Sequence, residues 1–299
     1  LFPKMTKRVI SVFLCVLCVI SSISFIVSAK ENKEYTSDNF LSVADGIIAW
    51  KKADNGSEPD GYLINDKYLE NAGTTPGDWY PIALGRLGIQ DNNEGYLAVI
   101  KDRVEERYRE SGRLSAAKAT EWHRIALAVL AMGGDPTNFG TDENGAPINL
   151  IADGTYDRGK TTPLGRQGIN GWIWGLITLD SMRYTVPDGA YNTRDDIIVE
   201  IISKQLSDGG FALSSDDADP DITAMAITAL APYYNSEKIY SYHRKALSAD
   251  ESKTVREVVD EAVLCLSRLQ LDTGDYKSWG TQNVESTDWV AVALCSLNI

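Results

Sequence analysis

Histidine and cysteine are nearly missing from this chain. Its 299 residues hold two histidines and four cysteines. Cys15 and Cys18 fall inside an apolar N-terminal run, which leaves Cys265 and Cys295. Two cysteines make no disulfide framework, and their spacing matches no metal site. Positive charge is also scarce, with 29 Lys and Arg against 42 Asp and Glu, a net of −13. The first 29 residues carry Lys4, Lys7 and Arg8 and no acid, so the rest holds 26 basic and 42 acidic residues, a net of −16. This balance excludes nucleic acid and anionic membrane surfaces as partners. It suits a soluble protein that handles neutral or cationic ligands.

What is present begins with a targeting signal. Met5 is the expected start, and Lys7 and Arg8 precede an uncharged apolar run over residues 9–27 that ends in Val27-Ser28-Ala29. That order describes a secretory signal over residues 1–29. The run is just long enough to span a bilayer, so an uncleaved anchor is the alternative. Serines 21, 22, 24 and 28 favour cleavage. The protein is expected to be secreted or at the cell surface, associated with the cell envelope. Residues 30–37 form a polar linker, and 38–299 a helical repeat domain.

A short pattern recurs five times ahead of apolar helices. Its copies start at Asp78-Trp79, Glu121-Trp122, Gly171-Trp172, Asp221-Ile222 and Asp288-Trp289, with spacings of 43, 50, 50 and 67 residues. Such a period is the length of one helical hairpin. Two kinds of helix alternate. In the first, Val255, Val258, Val259, Ala262, Val263, Leu266 and Leu269 form one buried stripe, with charges opposite. Leu97, Ile100, Val104 and Tyr108 repeat that pattern, as do Ile197, Ile198, Ile201 and Ile202. The second kind, exemplified by residues 222–231, has no charge at all and is buried on most sides. Asp219 caps that helix, Pro220 starts it and Pro232 stops it. The expected fold is all-α: an α/α toroid with two concentric helix layers and almost no strand. Its five hairpins lie at 38–88, 96–133, 146–182, 194–233 and 254–298. Residues 134–170 form a long Gly-, Asp-, Asn- and Pro-rich insertion with one apolar stretch at 148–151. Toroids generally close with six hairpins, and the chain starts at Leu1, so a further hairpin is expected beyond Ile299.

Two amphipathic helices end alike, in Gln205-Leu206-Ser207-Asp208-Gly209-Gly210-Phe211 and Gln270-Leu271-Asp272-Thr273-Gly274-Asp275-Tyr276. The glycine permits a left-handed exit, the aromatic packs back, and the Gln side chain ties down free backbone groups. This resembles the glutamine–aromatic repeat of squalene and oxidosqualene cyclases and of protein prenyltransferase β-subunits, which fold as α/α toroids. With Gly168-Ile169-Asn170-Gly171-Trp172-Ile173-Trp174 and Asp219-Pro220-Asp221-Ile222-Thr223-Ala224-Met225-Ala226, the chain is most similar to the prenyltransferase/squalene-oxidase repeat domains of Gram-positive surface proteins. The resemblance covers most of residues 40–299. It implies the toroid, and it implies little about activity, since that class includes enzymes and ligand binders.

The resemblance also supplies site candidates. Protonating triterpene cyclases carry Asp-x-Asp-Asp with the acid in the middle; here Asp219-Pro220-Asp221-Ile222 would make Asp221 the acid and Asp219 its neighbour. Ile222 replaces the last Asp of that pattern. The plainer alternative has Asp219 as a helix cap and the other acids solvated. A calcium loop over Asp217, Asp219 and Asp221 lacks its glycine, since Ile222 stands there. Zinc prenyl transfer needs Asp, Cys and His; no cysteine accompanies His123, and His243 falls in a Tyr-rich polar loop. No metal and no cofactor is assigned.

Trp79, Trp122, Trp172, Trp174 and Trp289 begin apolar helices. They either gather at a cavity mouth, where they suit a flat apolar ligand or a sugar ring, or pack between hairpins. Asp78, Glu121, Asp221 and Asp288 share one relative position, and Glu121 and Asp288 join the ligand-binding candidates. Alternatively these acids serve the helix dipoles. Arg158, Lys160 and Arg166 either bind an anionic group such as a diphosphate or are solvated. The leading expectation is a surface toroid module that binds a small molecule, corrinoid, isoprenoid or glycan, with no evident catalysis. A terpenoid cyclase or prenyl-transfer enzyme is the second reading. A glycoside hydrolase or polysaccharide lyase with an (α/α) barrel is the third.

Overall fold

A computed structural model describes residues 37–158 and 163–298. The signal segment, linker residues 30–36 and Lys160 lie outside the described residues. Helices dominate: α1 (Ser37–Asn55), α2 (Asp66–Leu69), α3 (Thr75–Leu87), α4 (Asn93–Ser111), α5 (Thr120–Ala131), α6 (Leu150–Gly154), α7 (Ile169–Asp180), α8 (Arg194–Ile202), α9 (Pro220–Leu230), α10 (Val255–Leu269) and α11 (Val284–Ser296). None of the described helices is long and apolar enough to cross a membrane. The chain divides into two compact units, Leu1–Gly112 with Leu127–Pro147, and Arg113–Ala126 with Ile148–Ile299.

In the first unit α4 buries Tyr96, Ile100, Val104 and Tyr108, the stripe its spacing predicts. Helix α3 continues through Pro81, which has no N–H to bond the Gly77 carbonyl. The Tyr68 hydroxyl donates to that carbonyl instead, at 3.0 Å. Asp78, fully buried one residue further on, accepts from the Gly73 N–H and the Tyr96 hydroxyl, each at 2.7 Å.

In the second unit the apolar helices α7, α9 and α11 lie side by side, α9 in the middle, with α8 against α7 and α10 against α9. Each amphipathic helix thus pairs with the apolar helix before it, one step out of phase with the hairpins expected at 194–233 and 254–298. Sequence periodicity distinguishes the two kinds of helix but not which neighbour each selects. Ile197, Ile198, Ile201 and Ile202 of α8 are all fully buried. Burying each is worth about 1.5–3 kcal/mol. Capping boxes, Thr193 with Asp196 and Thr254 with Glu257, start α8 and α10. Asp219 and Pro220 start α9, and a short 3-10 turn, Ala231–Tyr233, ends it at Pro232.

Strand is sparse beside the helices, as expected, and is confined to two short hairpins among the described residues. Strand β1 (Ile239–Arg244) pairs antiparallel with β2 (Ala249–Thr254), in register from Ile239 opposite Thr254 to Arg244 opposite Ala249. A smaller hairpin joins β3 (Lys277–Ser278) and β4 (Thr281–Gln282). His243 therefore sits on a strand, with Nδ1 2.8 Å from Asp250 Oδ1, rather than in a loop. Tyr240, Tyr242 and Arg244 alternate inward along β1, a period of two that marks a half-buried strand. Arg244 then anchors the hairpin: its Nε donates to Gln205 O at 3.1 Å and its Nη1 to Glu261 at 3.0 Å.

Candidate functional site

The two Gln–Gly–aromatic turns share a set of hydrogen bonds. Gln205 Nε2 donates to Gly209 O at 2.8 Å, and Gln270 Nε2 to Gly274 O at 2.9 Å. Gly209 and Gly274 both sit at φ +89°, which only glycine adopts without strain. The aromatic N–H then donates to a threonine in the next apolar helix: Phe211 to Thr223 at 2.9 Å, and Tyr276 to Thr287 at 3.1 Å. The helix cap follows in each, Asp219 on Ile222 N at 3.0 Å and Asn283 on Ser286 N at 2.8 Å. These turns fix the N-terminal ends of α9 and α11 relative to the helices before them.

Above the start of α9 lies a cleft of about 630 Å³. Its floor is Asp219, Asp221, Ile222 and Met225; the loop from Ala212 to Ala218 and the β3–β4 turn form its walls. Asp219 is fully engaged, with Oδ1 on its cap bond and Oδ2 accepting from Ser278 Oγ at 2.6 Å. Its expected capping role is present. Asp221 is different. Its Oδ1 is enclosed and has no hydrogen-bond partner. Ser278 Oγ donates to Asp219 and Ser286 Oγ to Asn283 at 2.8 Å, and both hydroxyls also interact with the Asp221 carboxyl. Burial pushes the Asp221 carboxyl above the usual range, with repulsion from Asp219 and Glu285 adding to it, against the opposing pull of the Ser286 and Ser278 hydroxyls. The expectation that the acids beside Asp219 are solvated holds for exposed Asp216 and Asp217 and fails for Asp221.

The rim carries a residue that sequence reasoning missed. Trp279 is 88% exposed and sits at φ +54°, followed by Gly280 at φ +80°. Two positive φ values in a two-residue loop are those of a type I′ hairpin turn. A bulky side chain is strained at the first of them. The sequence signal was Ser278-Trp279-Gly280-Thr281, a residue–Gly pair between two short polar runs. The recurring Asp/Glu–Trp pattern drew attention to helix starts instead.

Asp288, another acid candidate of this unit, does not line the cleft. It is 7% exposed on α11, with an enclosed Oδ2 that has no hydrogen-bond partner. Burial, with Glu285 adding repulsion, pushes its carboxyl up to about 7. The caps also correct the alignment of the acids. Asp221 is the second residue of α9, whereas Asp288 is the fifth of α11 and Asp78 the fourth of α3. In α11 the counterpart of Asp221 is Glu285. Spacing from the following aromatic misaligned them, because cap-to-aromatic distance varies between helices.

Trp174 and Trp289 meet edge to face at 5.7 Å, both half-buried. Trp122 is buried, with the Arg158 guanidinium stacked 3.9 Å above its ring. Arg158 is itself fully buried, so it is neither solvated nor open to a diphosphate; Arg166 is exposed. Trp172 packs beside Gly165, and Trp79 is half-buried in the first unit. Glu121 forms a two-pronged pair with Arg124, at 2.7 and 3.1 Å. His123 Nε2 lies 2.6 Å from Gly154 O, and burial lowers its pKa to about 4. Among the described residues no three His, Cys, Asp or Glu side chains are placed to hold a metal ion.

The chain matches no family model, no curated protein and no solved structure.

Proposed function

We propose that this protein is a secreted or cell-surface module of the α/α-toroid class that binds a ligand in the cleft above α9, without catalysis. The observation that carries the reading is the cleft itself: a concavity of about 630 Å³ lined by a strongly exposed tryptophan and by the partly exposed Asp221 carboxyl. Binding pockets have this size and this mixture of apolar wall and few polar groups. Exposing a large indole costs stability, and a ligand that covers it compensates. The apolar helices α7, α9 and α11 in a row, with amphipathic helices against them, support the two-layer arrangement of a toroid.

Among the ligand classes, isoprenoid diphosphates fit worst, because Asp217, Asp219 and Asp221 face only Lys277 on the cleft wall. The raised Asp221 carboxyl favours one second reading, proton donation to a polyene. The test is a thermal-shift screen of purified protein against corrinoids, oligosaccharides, amines and prenyl diphosphates, repeated on Trp279→Ala. We expect a ligand that stabilises the wild type and not the variant, and that is recovered unchanged. If no stabilisation depends on Trp279, the proposal fails.

A further inference from the structure

The chemistry of the cleft narrows what it holds. Its lining has three carboxylates, Asp217, Asp219 and Asp221, and one ammonium, Lys277, a net of −2. Glu285 adds repulsion at Asp221 from the neighbouring helix. Walls of one sign concentrate counter-ions between them. The carboxyls are not equivalent. Asp219 already accepts from Ile222 N and Ser278 Oγ, while Asp221, partly exposed with its Oδ1 enclosed, has no backbone or cationic partner and lines the cleft. Leu213, Ile222, Met225, Leu269 and the Trp279 ring give it an apolar surface, interrupted by Ser214, Ser215 and Ser278.

A neutral polyol leaves the net charge of these walls uncompensated. A protonated amine answers it, and its three N–H donors suit carboxylate lone pairs. An indole face also attracts a cation and covers an aliphatic stem. Resting on the cleft as the binding site, we infer that its ligand is a primary ammonium group on an apolar stem, with Asp221 as counter-ion and Trp279 over the stem. A free amine and a lysine side chain of a partner share this chemistry.

Titration calorimetry with n-hexylammonium, 1-hexanol and N-acetyl-lysine methylamide tests it on the full chain. Hexylammonium should bind at least about tenfold more tightly than hexanol. Asp221→Asn should remove that advantage and leave hexanol binding unchanged. Should that variant misfold, Lys277→Glu on the exposed rim serves instead: it should tighten ammonium binding several-fold without affecting hexanol. Lysine amide binding as tightly as hexylammonium supports a protein partner, and weaker binding supports a small amine. Equal affinity for hexanol and hexylammonium, both lost in Trp279→Ala, overturns the ammonium assignment while the cleft remains a binding site. If none of the three probes responds to Trp279→Ala, both the assignment and the proposed function are overturned.

Discussion

Replacing Asp288 by Asn should make the protein more resistant to denaturant as pH rises. The wild-type carboxyl is 7% exposed, has an oxygen without a partner, and titrates near 7. In the unfolded chain it titrates near the ordinary aspartate value of about 3.9. The folded state therefore binds the extra proton between those values. Its stabilising effect is full below the unfolded pKa and lost as pH rises through the folded one. Raising the pKa by roughly three units corresponds to about 4 kcal/mol at ~1.4 kcal/mol per unit. Side-chain relaxation and entry of water reduce this, so we expect about 2–4 kcal/mol. Asparagine carries no charge at any pH. Its amide adds a constant offset of about 1–3 kcal/mol if its donors find no acceptor. The slope, not the offset, is the diagnostic. Urea denaturation of both proteins, from pH 4 to 9, should give a stability difference that moves in favour of Asp288→Asn by 2–4 kcal/mol, roughly, up to about pH 8 and then levels off. A difference curve independent of pH, or one moving the other way, would show that Asp288 ionises without penalty and that its burial is relieved in solution.

Other substitutions probe the remaining elements. Gln205→Ala removes donors to Gly209 O and Val258 O and should cost about 1–3 kcal/mol by urea denaturation, since both carbonyls lose a buried hydrogen bond. Trp279→Gly should raise stability by about 1 kcal/mol, because glycine accepts the positive φ, while abolishing ligand binding; a loss of stability would deny the strain. Ile198→Ala in α8 should cost about 2–5 kcal/mol; a value below 1 kcal/mol, roughly, would place α8 outside the core. Squalene incubated with the protein should be recovered uncyclised, and a cyclised product that Asp221→Asn abolishes without unfolding the chain would make Asp221 the acid.

Much of the helical layout was legible because burial leaves a period in the sequence. The four isoleucines of α8 and the valine stripe of α10 mark their buried faces directly. The Gln–Gly–aromatic turns were legible too, since each residue has a local task. The Tyr240–Tyr242–Arg244 strand was not, because its inward residues are polar-tipped and it reads as a loop when only aliphatic residues are counted. Helix pairing was invisible, as one periodicity fits a partner on either side. At the cleft, Asp219 and Asp221 stood out, but Trp279 belongs to a turn 58 residues later. Its neighbourhood exists only because α11 packs against α9.

The twin turns also define where this chain can be cut into interchangeable pieces. Each one ties the exit of an amphipathic helix to the first turn of an apolar one, through Gln, Gly, the aromatic and Thr. A segment copied from the middle of one amphipathic helix to the middle of the next carries one whole joint with it and severs none. Growth by tandem duplication is thus mechanically simple at those points. A boundary placed between the glutamine and the threonine would leave both partners of the joint unmatched in the new context. The repeat that matters for inheritance is the elbow, and the helices are the spans between elbows.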